Sequence, residues 1–145
     1  MSELSLKKIS YLEGMSEILA IRRVVFQEEQ GVDPTLEVDG LDPTTDHCLA
    51  YLDNQPVGTV RVRYLNQHTA KIERLAVLPE ARGKGIGKKL MEQALEVAAQ
   101  KNRKEVVIHA QEYIKELHQK LGFEQVGERF EEAGISHVKM LKRLP

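Results

Sequence analysis

Cysteine and aromatic residues are scarce in this chain, and tryptophan is absent. Of its 145 residues one is cysteine, Cys48, and the aromatics make up 5%. A single thiol excludes an intramolecular disulfide framework and a cysteine-rich zinc site, and it allows a reducing compartment. No uncharged run approaches the roughly 20 residues needed to span a bilayer, and residues 1–8 lack the apolar stretch of a signal peptide. A cytoplasmic location is therefore expected. The formal net charge is only -1 and aromatics do not interleave with the basic residues, so nucleic acid is not expected as a partner. One span lacks positive charge altogether: residues 24–59 contain neither lysine nor arginine.

What is present suits one domain over residues 1–145. The composition is 41% hydrophobic and 30% charged, as in ordinary globular domains. The pattern predicts a strand at 6–11, then a helix at about 14–30 stopped by Gly31. Residues 31–46 read as irregular, with Pro34, Gly40 and Pro43 as breakers. Strands at 47–52, 57–64 and 69–77 form an antiparallel meander. Ile86, Leu90, Ala94, Val97 and Ala98 recur at helical spacing from Gly85 onward. A strand at 105–110 follows, and strand, helix, strand implies a right-handed parallel crossover. A helix at about 113–121, stopped by Gly122, precedes a C-terminal hairpin of strands 125–130 and 136–141. The fold class is α/β, a mixed central sheet with helices on both faces.

The junction after the third meander strand carries the chemistry. The strand runs into Leu78-Pro79, then Arg82-Gly83-Lys84-Gly85-Ile86-Gly87-Lys88 opens directly into a helix. Such a junction offers backbone N–H groups and a positive helix end to an anion, usually a phosphate. It is not a P-loop: Gly87-Lys88 is followed by Lys89 instead of Ser or Thr, and Arg82 stands where the first glycine belongs. It is not a dinucleotide fingerprint either, because the third glycine position is Lys88.

What remains, Arg-x-x-Gly-x-Gly at Arg82, Gly85 and Gly87, resembles the acetyl-CoA-binding motif of the GNAT superfamily of N-acetyltransferases. Leu117-His118-Gln119-Lys120-Leu121-Gly122-Phe123 is similar to a second family motif, Leu-Tyr-x-Lys-x-Gly-Phe. Val25-Phe26-Gln27-Glu28-Glu29-Gln30 and Gly134-Ile135-Ser136-His137 look like a bacterial subgroup with a Val-Phe-x-x-Glu-Gln start. The element order is similar to the GNAT fold throughout. The resemblance implies acetyl-CoA as cosubstrate, no metal, and a small-molecule amine as acceptor. A homodimer is left open.

On that resemblance Arg82, Gly83, Lys84, Gly85, Ile86, Gly87 and Lys88 hold the pyrophosphate. The fourth strand splays from the fifth, leaving backbone donors at Leu75, Ala76 and Val77. An aligned backbone donor is worth about 3 kcal/mol of transition-state stabilisation. Gln111 falls where relatives often carry asparagine at the cofactor.

A lysine-like amine must also shed a proton before it attacks. Glu73 is the candidate base, or else a strand carboxylate paired with Arg61, Arg63 or Arg74. His118 stands where the family has a tyrosine. It is the candidate acid, or else a boundary histidine, and Tyr113 is the substitute acid. His47, His68, His109 and His137 show no metal-ligand spacing. Cys48 reads as a buried thiol. A second reading, an acetyl-CoA-sensing module that has lost transfer, stays open because of His118.

The basic-free span carries Glu28, Glu29, Asp33, Glu37, Asp39, Asp42, Asp46 and Asp53, and the last hairpin adds Glu128, Glu131 and Glu132. An acidic acceptor side would favour a cationic amine such as a polyamine or an aminoglycoside. The competing reading pairs these carboxylates with Arg22, Arg23, Arg61 and Arg63.

Overall fold

A computed structural model describes residues 3–145; the reading of residues 1–8 extends outside them at positions 1 and 2. The N-terminal strand, β1, is Leu4–Ile9 and ends sooner than the sequence suggests. The reason is Ser10: its hydroxyl accepts from the Glu13 N–H at 3.3 Å and donates to the Glu13 carboxylate at 3.1 Å. This serine N-cap, in a Ser-x-x-Glu sequence, starts α1 at Tyr11, so Tyr11 belongs to the helix Tyr11–Arg22. The chain then widens into a π-helical segment, Arg23–Glu29. Gly31, at φ +70°, ends it.

The span 31–46 is not wholly irregular. A short α2, Pro34–Glu37, is capped by Asp33, and a 3₁₀ turn follows at Asp42–Thr44. The meander is β2 (Asp46–Leu52), β3 (Gln55–Tyr64) and β4 (Thr69–Val77). A 3₁₀ turn at Pro79–Ala81 leads to α3, Ile86–Gln100, and then to β5, Glu105–Gln111. A 3₁₀ turn, Glu112–Ile114, precedes the six-residue α4, Lys115–Lys120.

The expected strand at 125–130 is two pieces, β6 (Glu124–Gln125) and β7 (Phe130–Glu132). Gly127, at φ +80°, lies in the break between them. Both pieces pair with the final strand β8, Ile135–Arg143, at different points along it.

The sheet order is β1-β2-β3-β4-β5-β8-β6, with β7 also on β8. All pairs are antiparallel except β4 with β5. Alternation along the strands sets two cores. Cys48, Ala50, Val60 and Val62 point to the face under α3, where Ile86, Leu90, Ala94, Val97 and Ala98 form the expected stripe. Leu49 points the other way and packs with Ile18, Ile21, Val25 and Phe26. Fully burying each such aliphatic side chain contributes about 1.5–3 kcal/mol, so both helical layers are held to the sheet by apolar area. Among the described residues no helix is long and apolar enough to cross a membrane.

Candidate active site

The cleft exists because two neighbouring strands stop pairing. The parallel ladder covers only Thr69–Glu105, Ala70–Val106 and Lys71–Val107. Beyond it a cleft of about 670 Å³ is lined by residues 72–77 of β4 and 108–111 of β5, a size that suits a small molecule. A bulge in β4 assists. Arg61 faces Glu73 and Thr59 faces Ala76, so Arg74 and Leu75 together oppose Val60. Arg74 takes φ +57°, a conformation that costs a non-glycine residue about 1–2 kcal/mol. Its guanidinium is held by the carbonyls of Leu36 and Glu37 and by Asp39, each at 3.3 Å.

At the end of β4 the glycine loop enters α3. Gly83 and Gly85 have φ +78° and +76°, and a Cβ at either would meet nothing within 4 Å. Gly85 caps α3 without a side-chain bond, so the first-turn N–H groups are open to an anion. Lys84 and Lys88 are exposed beside it. Two residues of the expected set offer backbone alone, because the side chains of Ile86 and Ala76 are buried in the two cores. Arg82 is already engaged: its fork meets the Glu29 carboxylate, with Nη1 at 2.7 Å, and its Nε donates to the Val77 carbonyl at 3.0 Å. Gln111 exchanges amide hydrogen bonds with Gln30 at 2.9 and 3.3 Å. The π-helical segment thus delivers Glu29 and Gln30 to the cofactor side of the cleft.

Glu73 lines the cleft, but its carboxylate is 7% exposed and touches Arg61, Arg63 at 3.2 Å and Lys71 at 3.4 Å. Burial pushes its pKa up, yet Arg61, Lys71 and Arg63 outweigh it and hold the carboxyl below its ordinary range. This is the ion-paired arrangement that competed with the base in the sequence. A carboxylate so held is a weak proton acceptor at neutral pH.

Three carboxylates of the acidic span, Glu37, Asp39 and Asp42, are paired in the same way. Arg22 binds Glu37 and Asp42, both at 2.7 Å, and Arg61 also binds Asp42 at 3.0 Å and Asp39 at 2.8 Å. Around this network five cations, Arg22, Arg61, Arg63, Lys71 and Arg74, meet four carboxylates, Glu37, Asp39, Asp42 and Glu73. The wall is not net acidic.

His118, on α4, also lines the cleft. It is 3% exposed, meets Phe123 edge-on at 6.0 Å, and its Nδ1 is buried without a partner. Burial pushes its pKa down to about 4, so the ring is neutral at pH 7. Tyr113, by contrast, is exposed at the cleft mouth. The thiol of Cys48 is buried, and desolvation, aided by Asp46, pushes it up to about 12. That makes it a poor nucleophile.

A pH effect on stability follows from His118. The unfolded chain takes up a proton near pH 6.5 that the folded chain refuses until about pH 4. Stability contributed above pH 6.5 is therefore lost as pH falls through that window, by about 3 kcal/mol. The stability of wild type relative to His118→Leu, taken from urea midpoints, is expected to fall between pH 7 and pH 4. Parallel curves would show that His118 does not carry the effect. His47, also held low by burial, leaves a residual slope in both.

One group went unread in the sequence. His109 on β5 places Nδ1 3.1 Å from Glu132 of β7, and His137 of β8 places Nε2 3.8 Å from the same carboxylate. Phe130 lies against both rings, at 5.1 and 5.9 Å. Spacing gave no hint, since these residues meet only when the last hairpin folds onto β5. Among the described residues no group of three or more His, Cys, Asp or Glu is placed to hold a metal.

A split between a parallel pair, a bulged strand and an uncapped glycine loop define an acyl-CoA-dependent transferase site. The acetyltransferase (GNAT) domain profile matches residues 25–144, and the chain belongs to that family. The protein YyaT of Bacillus subtilis is 38% identical over 97% of this chain and 97% of its own length. The crystal structure of an acyl-CoA N-acyltransferase from Pseudomonas aeruginosa is 30% identical, with TM-score 0.83 over 98% of this chain and 99% of that one. A GNAT acetyltransferase from Elizabethkingia anophelis, solved with acetyl-CoA bound, shares the fold at TM-score 0.71 and 19% identity over 97% and 98% of the two chains. The protein is an N-acetyltransferase of the GNAT family.

Proposed function

We propose that this protein moves the acetyl group of acetyl-CoA to a small primary amine by direct attack, without a covalent enzyme intermediate. The opening beyond the Lys71–Val107 pair, with the uncapped glycine loop at its end, carries this reading. Acetyl-CoA supplies a carbonyl already activated as a thioester. Gly83, Gly85, Gly87 and the N–H of Ile86 would cradle its pyrophosphate, with Lys84 and Lys88 adding charge-assisted bonds. Arg82 joins them by exchanging Glu29 for phosphate. The N–H groups along residues 75–77 that turn away from β3 would hold the pantetheine and the carbonyl oxygen, the Leu78 N–H being taken by the Val57 carbonyl, and Gln111 would flank them.

His118 is neutral and so is not a strong acid. A neutral imidazole still donates one N–H, and that donor would meet the departing sulfur where the ring lines the cleft. Glu73 fixes Arg61, Arg63 and Lys71 around the acceptor. We further infer a cytoplasmic protein of one domain over residues 1–145, in the subgroup marked by Val25, Phe26, Glu29 and Gln30.

The cationic acceptor expected from the acidic span loses its main support, because arginines neutralise Glu37, Asp39 and Asp42, the carboxylates of that span beside the cleft. We therefore place amines with one positive charge ahead of polyamines. A second reading, acetyl-CoA sensing without transfer, is favoured by the neutral state of His118 and the pairing of Glu73.

One experiment separates the readings. Thermal shift with acetyl-CoA is combined with release of CoA thiol in the presence of ethylamine, phenethylamine, L-alanine or spermidine. Ligand at 100 times its dissociation constant is expected to stabilise the fold by about 2.7 kcal/mol, and a monoamine is expected to outpace spermidine. A shift without thiol release supports the sensor. The absence of any shift with acetyl-CoA or CoA overturns both readings.

A further inference from the structure

On the reading that this cleft transfers acetyl to an amine, we propose that His109 is the general base, held in orientation and tautomer by Glu132 with His137 behind it. Register places His109 at the reaction. Two residues beyond the last parallel pair, Lys71–Val107, stand Glu73 on one lip of the opening and His109 on the other. Ile108 and Ala110 lie in the core under α3, so alternation turns His109 to the opposite face, and it lines the cleft with Glu73.

Of these two lips only one is suited to take a proton. The Glu73 carboxylate is surrounded by three cations. Imidazole is the side chain that ordinarily exchanges protons near neutral pH. The Glu132 carboxylate can only accept a hydrogen bond, so Nδ1–H of His109 donates to it at 3.1 Å. The lone pair then falls on Nε2, which makes no hydrogen bond among the described residues. The second imidazole is fixed as well: Nδ1–H of His137 donates to the Ile135 carbonyl at 2.7 Å. Phe130 packs against both rings and limits their rotation.

The proton path balances. An ammonium acceptor gives one proton to Nε2 of His109, and Glu132 stabilises the resulting imidazolium. The freed nitrogen lone pair forms the C–N bond as the C–S bond breaks. The second amine proton passes to the departing sulfur, and His109 returns its proton to water. An acetamide, a thiol and one proton result. The ionisable groups around His109 are Glu132 from β7, His137 and Lys139 from β8, and Lys71 and Glu73 from β4.

The test compares two small amines at pH 7, with thiol release as readout. Ethylamine is almost wholly ammonium and needs a base; hydroxylamine is largely free base and does not. His109→Gln is expected to lower kcat/KM for ethylamine about 100-fold, a typical contribution of a positioned base. The loss with hydroxylamine should stay below about threefold, and acetyl-CoA affinity should not change.

Glu132→Gln supplies a readout independent of turnover. Without the carboxylate Nδ1–H loses its charged acceptor, so nitrogen NMR of the free protein is expected to show His109 redistributing from the Nδ1–H to the Nε2–H tautomer. Equal losses for the two amines, or none, overturn the base; an unchanged His109 tautomer overturns the role of Glu132. Wild type that binds acetyl-CoA but acetylates neither amine overturns the transferase reading, and the base with it.

Discussion

Arg61→Met is expected to destabilise the protein by about 3–5 kcal/mol, because it removes one partner from a buried ion network. The Arg61 side chain is 1% exposed and its guanidinium serves Asp39, Asp42 and Glu73 together. Methionine fills much of the same space, so the main cost is three carboxylates deprived of their shared cation. That is a large part of the roughly 5–15 kcal/mol that holds a domain folded. Arg63, whose side chain is 30% exposed, makes a useful contrast. Water screens it, so Arg63→Met should cost no more than about 1 kcal/mol.

The pH dependence identifies the cause. In wild type the Asp39 carboxyl is held low chiefly by its hydrogen bond to Arg61, and Glu73 is held low by Arg61 against the opposing effect of burial. Such groups contribute stability above their unfolded pKa values, near 4, and lose it as pH falls. Without Arg61 that contribution is absent, and protonation relieves the unpaired charge. The gap between wild type and Arg61→Met should therefore narrow as pH falls below about 4 in urea titrations. A constant gap would indicate lost packing instead of lost charge.

The network also marks where sequence reading ended. Glycine loop, apolar α3 stripe and element order were legible because each is written locally, in spacing or in adjacent residues. Ser10-Tyr11-Leu12-Glu13 was legible too, as a serine N-cap, and taking it would have moved the helix start from residue 14 to Tyr11. Gly127 in an expected strand carried the signal for the break between β6 and β7.

The partners of the charged residues were not written locally. Residues 24–59 read as a cation-free acidic surface, yet Arg22, Arg61 and Arg74 come from outside the span to meet it. His109 and Glu132 are separated by a 3₁₀ turn, α4 and β6. Charge in a sequence shows what must be compensated, and only the fold shows by whom.

Gly85→Val is expected to abolish acetyl-CoA binding while the fold remains by circular dichroism. The added Cβ meets no protein atom within 4 Å, so the side chain fills open space at the α3 N-terminus, where the pyrophosphate would lie. Backbone strain contributes separately. At φ +76° a β-branched residue is disfavoured by about 1–2 kcal/mol, and the melting temperature should fall accordingly.

Gly87→Ala separates obstruction from strain. Gly87 lies in the first turn of α3 and lines the cleft, and its φ is not positive. A Cβ there would meet Leu117 and Val77 at an ordinary 3.9 Å. Alanine also favours helix over glycine by up to about 1 kcal/mol, so this variant should melt no lower than wild type. It should nevertheless bind acetyl-CoA more weakly by isothermal titration, because the methyl group narrows the approach to the first-turn N–H groups. Tight binding by both variants would reduce the glycine loop to a strand-to-helix turn and move the cofactor elsewhere in the cleft.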